Sequence, residues 1–185
     1  GVTGGGNARP VVVRSLSELQ AQAAGEERRV IHVEGKLRGT LTVGSNKTII
    51  GLQGAEIGSD AGVLRLTGSR NVIIKNLKLV GVHKPNQPNT VLHDVKNVWL
   101  DHNSFINGSH DLLVVSGTSD FVTLSWNVFR QTYFGHDHMG VNIGASDNDT
   151  TSRGHLRVTL HHNFYAKFVN ERMPRVRFGQ VHTFN

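Results

Sequence analysis

The chain has 185 residues, enough for one domain with a substantial core. It contains no cysteine, which excludes a disulfide framework, and no apolar run approaches the length of a transmembrane helix, so we expect no membrane partner. The formal net charge of +6 favours a polyanionic partner. Nucleic acid and acidic polysaccharide both fit this charge, and composition does not separate them.

One short amphipathic helix is predicted near the start of the chain, over residues 15–25. Ser15 or Ser17 can cap its first turn, and Gly25 can end it. Three apolar residues share one of its faces: Leu16, Leu19 and Ala23. We expect this helix to cover one open end of a β structure, because an exposed sheet edge tends to pair with other chains.

After the helix the sequence repeats with a period of about 25 residues. Five segments with strand-like alternation start at Asn46, Asn71, Asn97, Phe121 and Arg157. Three of them carry an asparagine at the same offset, and a fourth asparagine falls one residue earlier: Asn103, Asn127, Asn163 and, earlier, Asn76. Asparagine tolerates left-handed backbone angles at a corner, and its amide can bond to asparagines in neighbouring repeats. We therefore predict an all-β solenoid in which residues 1–185 form one domain.

The spacing between Asn127 and Asn163 is longer than the others and predicts an inserted loop at residues 132–154. This segment is polar and rich in glycine, and it carries His136 and His138. Long loops on a rigid scaffold often carry function. The last residues have a strand pattern without a cap, so we expect either that a second copy of the chain covers that end or that the chain is a shortened piece of a longer protein.

Four segments resemble the signature stretches of the pectate/pectin lyase superfamily: "NVWLDHNSF", "SDFVTLSWNVF", "LRVTLHHNFY" and "ERMPRVRFGQVHTFN". They follow the family's order, and the resemblance extends over nearly the whole chain. It implies a right-handed parallel β-helix and a secreted pectate lyase. Such an enzyme cleaves polygalacturonate, as pectate or low-ester pectin, by β-elimination.

The resemblance also assigns roles to residues. The family's base is the first arginine of an R-x-P-x-x-R motif, which falls on Arg172, and the second arginine, Arg177, would bind a substrate carboxylate. Within one strand these two residues have opposite parity, so they share a face only if a turn or bulge intervenes. The family's substrate-binding lysine falls on His138 or Met139, and we expect His138 to supply a positive charge below a pKa near 6.5. Lys167 is a further candidate for substrate binding.

Calcium is the cofactor that the resemblance implies, held by carboxylates, which are hard oxygen ligands. The family's acidic positions fall near Pro88 and Asn89 and on His110 and Val114, and none of these is a carboxylate. A one-residue slip would recover Asp111 for the second pair but leave Val115 as its partner. Most of the expected set of ligands is therefore missing. The remaining candidate metal ligands are Asn89, Asp94 and Asp111.

Two alternatives to a pectate lyase stay open. The missing carboxylates resemble pectin lyases, which act on methyl-esterified pectin without calcium, whereas Arg177 and the "RFG" that contains it resemble the pectate branch. The other alternative is a non-catalytic β-helix that binds acidic glycans. A nucleic-acid partner is disfavoured, because "FVNERMP" lacks aromatic residues spaced for base stacking.

Overall fold

The computed structural model describes residues 1–185 and consists almost entirely of parallel strands. In chain order the strands are β1 (Pro10–Val13), β2 (Arg29–Val33), β3 (Lys36–Arg38), β4 (Leu41–Thr42), β5 (Lys47–Gly51), β6 (Glu56–Gly58), β7 (Leu64–Thr67), β8 (Arg70–Lys75), β9 (Lys78–Val80), β10 (Thr90–His93), β11 (Lys96–Asp101), β12 (Ser104–Ile106), β13 (His110–Ser116), β14 (Asp120–Ser125), β15 (Val128–Arg130), β16 (His138–Ile143), β17 (Arg157–His161), β18 (Phe164–Tyr165), β19 (Arg175–Val176) and β20 (Gln180–Phe184).

Three sheets run the length of the molecule. The first has eight strands in the order β1-β2-β5-β8-β11-β14-β17-β20. The other two have six strands each, in the orders β19-β16-β13-β10-β7-β4 and β18-β15-β12-β9-β6-β3. Each complete coil adds one strand to every sheet, which confirms the predicted parallel β-helix.

The predicted N-terminal helix is α1 (Leu16–Ala23). Ser15 is the cap, and its hydroxyl accepts a hydrogen bond from the Glu18 backbone N–H at 3.2 Å. Leu19 and Ala23 are fully buried against the first coil. No helix of the structure is long and apolar enough to cross a lipid bilayer.

The core consists of apolar side chains stacked from coil to coil. Five of them form one row along the inside of the eight-stranded sheet, each paired in register with the next: Ile49, Ile74, Leu100, Leu124 and Leu160. All five are at most 4% exposed. Burying a side chain of this size stabilises a fold by about 1.5–3 kcal/mol, so this row explains why the strand pattern repeats.

The predicted asparagine ladder lies where the eight-stranded sheet turns into the β18-β15-β12 sheet. The Asn127 side-chain N–H donates to the Leu100 carbonyl at 2.9 Å and to Asn163 Oδ1 at 3.1 Å. Its own oxygen accepts a hydrogen bond from the Asn103 backbone N–H at 2.9 Å. The ladder therefore satisfies backbone groups that the turn would otherwise leave unpaired.

The left-handed backbone angles lie one residue before the ladder, which corrects part of the prediction. Residues with φ between 53° and 59° precede its rungs: Asn76, His102, Trp126 and His162. Asn76 is thus a corner residue. Leu77 takes the ladder position in that coil, and its N–H donates to Asn103 Oδ1 at 3.0 Å.

The segment 132–154 is not one inserted loop. It contains β16, a fully buried strand that pairs with β13, and a short 3-10 helix at Thr150–Ser152. The extra length lies in the connections on either side of β16. Because β16 is buried on both faces, it lacks the polar alternation of a half-exposed strand.

Candidate active site

A bulge brings the two motif arginines together. Met139 on β16 pairs with Glu171, and Asn142 pairs with Arg175. Between these two pairs the segment 171–175 has one residue more than the segment 139–142, which is the signature of a bulge. Arg172 occupies the bulge with a φ of 59°. The predicted interruption between Arg172 and Arg177 is therefore present; the Arg172 side chain reaches Asp111 on β13, and the Arg177 side chain reaches Asn142 on the neighbouring strand β16.

Arg172 is locked to a buried carboxylate. Its Nη1 donates to both oxygens of Asp111, at 2.9 and 2.8 Å. The two side chains are only 14% and 6% exposed. Burial raises the pKa of Asp111, and the neighbouring Arg172 guanidinium offsets this only in part. Arg172 Nε is buried without a hydrogen-bond partner.

Arg177 is held beside the same strand. Its Nη1 donates to the Gly144 carbonyl at 3.1 Å and to Asn142 Oδ1 at 3.4 Å. The Asn142 side chain also lies next to Asp111, where it favours the charged carboxylate and offsets part of the raised pKa, so it lies between the contacts of the two arginines. Arg177 Nε forms an ion pair with Asp147, a strongly exposed carboxylate at the rim. This hydrogen bond lowers the pKa of Asp147.

Two glycines of β16 and its end allow the arginine segment to approach so closely. A Cβ on Gly140 would lie 2.6 Å from the Arg172 carbonyl, and a Cβ on Gly144 would lie 2.6 Å from the Arg177 carbonyl. Sequence reasoning did not single out these glycines, nor Asn142 and Asp147. The sequence feature that could have indicated them is the four-residue spacing of Gly140 and Gly144. The arginine motif that they contact is distant in sequence.

His138 does not have the environment of a cation. It is 4% exposed, and its ring centroid lies 4.7 Å from that of His83 and 4.8 Å from that of Tyr133. Burial, together with the neighbouring His83, lowers the pKa of His138. The expectation that His138 supplies positive charge is thereby corrected. It lines a pocket of about 230 Å³, next to Met139, whose strand partner is Asp111.

Lys167 lies in the connection between β18 and β19 and is exposed. Its ammonium group is 4.8 Å from the centre of the Phe168 ring and forms no ion pair. Lys167 is therefore a positive charge close in sequence to the arginine motif, but it shares no ion-pair partner with Arg172 or Arg177.

Asn89 is a structural residue in the core. Its fully buried amide donates to three carbonyls, of Leu79, Ile106 and Asn107, at 2.9–3.0 Å. Its oxygen accepts a hydrogen bond from the Thr90 hydroxyl at 3.1 Å. Both polar atoms of this side chain are therefore engaged inside the core.

Asp94 lies at the far end of the same sheet from Asp111. In the register of β10 and β13, Thr90 pairs with Leu113 and His93 with Ser116. Asp111 therefore lies before the paired region and Asp94 after it, so that the two residues are roughly 20 Å apart along the strands. Asp94 instead accepts hydrogen bonds from the backbone and hydroxyl of Thr118, and the backbone bond lowers its pKa. The three candidate metal ligands therefore do not come together, and no group of three acidic or histidine side chains could hold a metal ion. The residues present do not fit a calcium site.

The three parallel sheets, each of which gains one strand per coil, define a right-handed parallel β-helix. A family model described as pectate lyase matches residues 2–185. The chain belongs to the pectate lyase family.

Curated relatives support this assignment. The pectate trisaccharide-lyase of Thermotoga maritima is 32% identical over the whole chain, which corresponds to 52% of that protein. The probable pectate lyase B of Aspergillus terreus is 35% identical, again over the whole chain and 58% of that protein. The chain thus spans little more than half the length of these relatives.

Solved structures show the same fold. A thermostable pectate lyase, PL 47, superposes with a TM-score of 0.81 at 24% identity, covering all of this chain and 67% of that one. A pectate lyase bound to a hexasaccharide gives a TM-score of 0.83 at 18% identity, with coverages of 100% and 68%. At these identities the likeness concerns the fold alone.

Proposed function

We propose that this chain carries the arginine site of a secreted pectate lyase that cleaves polygalacturonate by β-elimination. The observation that carries the proposal is the bulge that brings Arg172 and Arg177 to one face, with Asn142 between them. Membership of the pectate lyase family supports it. The partner is then an acidic pectic polymer. Such a polymer is too large to enter a cell, so the enzyme would meet it outside. Self-association through the C-terminal coil stays a prediction.

β-Elimination places clear demands on such a site. The C5–H bond beside the uronate carboxylate breaks, its electron pair forms the C4=C5 double bond, and the C4–O bond to the next sugar breaks. The leaving oxygen then takes up a proton. The reaction needs a base at C5 and positive charge beside the carboxylate, where negative charge develops.

Arg172 is the proposed base. A guanidinium accepts a proton only after it has lost one of its own, and this loss is difficult for arginine in water. Asp111 accepts two hydrogen bonds from Nη1 and so fixes the orientation of the guanidinium, and the proton that Arg172 must lose passes to solvent. The proton at C5 can then pass to Arg172.

Arg177 is the proposed clamp for a substrate carboxylate. Its present anionic partner, Asp147, is 82% exposed, so a uronate can displace it at little cost in desolvation. Lys167 adds exposed positive charge for steering the polymer. His138 contributes as a neutral hydrogen-bonding group that lines the adjoining pocket.

One observation favours a second candidate, cleavage of methyl-esterified pectin. Both arginines already have a carboxylate partner, and the place of the family's lysine falls on His138 or Met139, both of which are buried. A site with few uncommitted cations suits a reacting unit that carries no charge.

The test is an absorbance assay for unsaturated uronide ends on polygalacturonate and on methylated pectin. We expect product from at least one polymer, and loss of about 10³-fold or more in rate for Arg172→Ala. The matched control is Arg38→Ala, which removes an arginine from an exposed ion pair with Asp60. Absence of product from both polymers, or an unchanged rate in Arg172→Ala, would contradict the proposal. Salt-dependent binding without product would establish the non-catalytic alternative.

A further inference from the structure

Two arginine side chains bind the oxygen atoms at the positions where the family resemblance would place a calcium ion. On β7, Arg65 Nη1 donates to the Asn89 carbonyl at 3.0 Å, and Nη2 donates to the Pro88 carbonyl at 3.0 Å. These two residues are the ones on which the family's first acidic pair falls. A fixed cation thus already occupies the carbonyls of this segment.

The neighbouring carboxylate is occupied in the same way. The Asn89 backbone N–H donates to the Asp111 carbonyl at 3.2 Å, so the two residues adjoin. Both Asp111 side-chain oxygens accept from Arg172. A divalent cation that replaced Arg172 would leave a nearly buried guanidinium without its anion, which is strongly unfavourable.

We infer that an internal ion pair replaces the metal at this site, and that Asp111 is the positioning residue that holds Arg172 for the reaction. The site then works without calcium. Arg65 keeps the adjoining carbonyls paired, and Asp111 fixes the guanidinium in one orientation over β16. This inference rests on the proposed lyase function only where it concerns rate.

The first test measures calcium binding directly. Calorimetric titration of the intact protein with calcium, up to about 1 mM, the weak end of protein calcium sites, should show no saturable heat that depends on Asp111. The melting temperature should be equal in calcium and in chelator. Saturable binding that disappears in Asp111→Asn would overturn the inference, whereas binding that persists unchanged in Asp111→Asn lies elsewhere and leaves it standing.

The second test separates positioning from mere stability. Asp111→Asn keeps the shape of the side chain but removes its charge, and we expect kcat to fall about 100-fold while KM changes little. Asp111→Glu should restore part of kcat. The control, Asp60→Asn, breaks the exposed pair with Arg38 and should leave kcat unchanged. Wild-type kcat in Asp111→Asn would overturn the positioning role.

The third test holds even if the chain has no lyase activity. Asp111→Asn and Arg172→Gln should each lower the melting temperature by roughly 5–10 °C, because each leaves a buried group unpaired. The double variant should lose less than the sum of the two. Additive losses would show that the ion pair is not coupled and would overturn the inference, whereas absence of product on both polymers would overturn only the proposed function.

Discussion

The fold keeps the side chain at position 138 neutral, although a histidine in water would become positively charged in mildly acidic solution. Histidine in water titrates near pH 6.5, which suits a substrate-binding cation in mildly acidic solution. The fold instead buries His138 between His83 and Tyr133, with Nδ1 unpaired. The neutral ring is therefore the form that the folded protein favours.

This burial predicts a dependence of stability on pH. The folded-state pKa of His138 lies below its unfolded value, so its contribution is fully present above about pH 6.5 and is lost as pH falls through the folded pKa. Each unit of pKa lowering corresponds to about 1.4 kcal/mol. In urea unfolding between about pH 7.5 and 5, His138→Gln should flatten the loss of stability relative to the wild type.

The control for this measurement is His136→Gln, two residues earlier in the connection before β16 and with an exposed side chain. It should keep the wild-type slope. If His138→Gln and the wild type lose stability in parallel, burial of His138 does not govern the acid response.

At the scale of the element, the asparagine ladder decides how each coil turns. Asn127 is fully buried and joins backbone groups of two coils to the asparagines on either side. An alanine would leave the Leu100 carbonyl and the Asn103 N–H without these partners. Each unpaired buried group costs about 1–3 kcal/mol.

We therefore expect Asn127→Ala to lower the free energy of unfolding by about 2–4 kcal/mol. Asn148→Ala, at an exposed position in the connection after β16, should change it by less than about 0.5 kcal/mol. Denaturant unfolding of the three proteins measures this difference. If Asn127→Ala and Asn148→Ala have the same free energy of unfolding, the asparagine ladder does not stabilise the fold.

At the scale of the whole molecule, the excess of positive charge governs encounter with a polyanion. The net charge is +6, and several cations near the arginine motif are exposed, including Lys167 and Arg175. Such charges act over about 8–10 Å at moderate ionic strength and are screened by salt. Arg172 is shielded by burial and depends much less on salt.

KM for polygalacturonate should accordingly rise as salt increases from about 20 to 200 mM, while kcat stays nearly constant. Initial rates over a range of polymer concentrations at each salt level give both constants. The same series on fully methylated pectin serves as the uncharged control and should show a flat KM. A fall in kcat with unchanged KM would contradict electrostatic steering.

Much of the fold could be predicted because its signals are local. The helix, the strand alternation and the three ladder asparagines depend on residues within one coil, and the period between coils shows that they stack. Even the bulge follows from the opposite parity of Arg172 and Arg177. β16 was missed, because a strand buried on both faces has no alternation to detect.

The partners of the site residues depend on register between coils. Asp111 and Arg172 are 61 residues apart, and nothing in either segment indicates that they pair. Likewise, Asn89 is paired with carbonyls of Leu79 and Ile106, and His138 is packed against His83, all of which lie in other parts of the chain. Periodicity is a property of short segments and can be recognised in the sequence, whereas charge state, ion pairing and metal-binding capacity depend on which coils lie next to each other, and stacking alone establishes that.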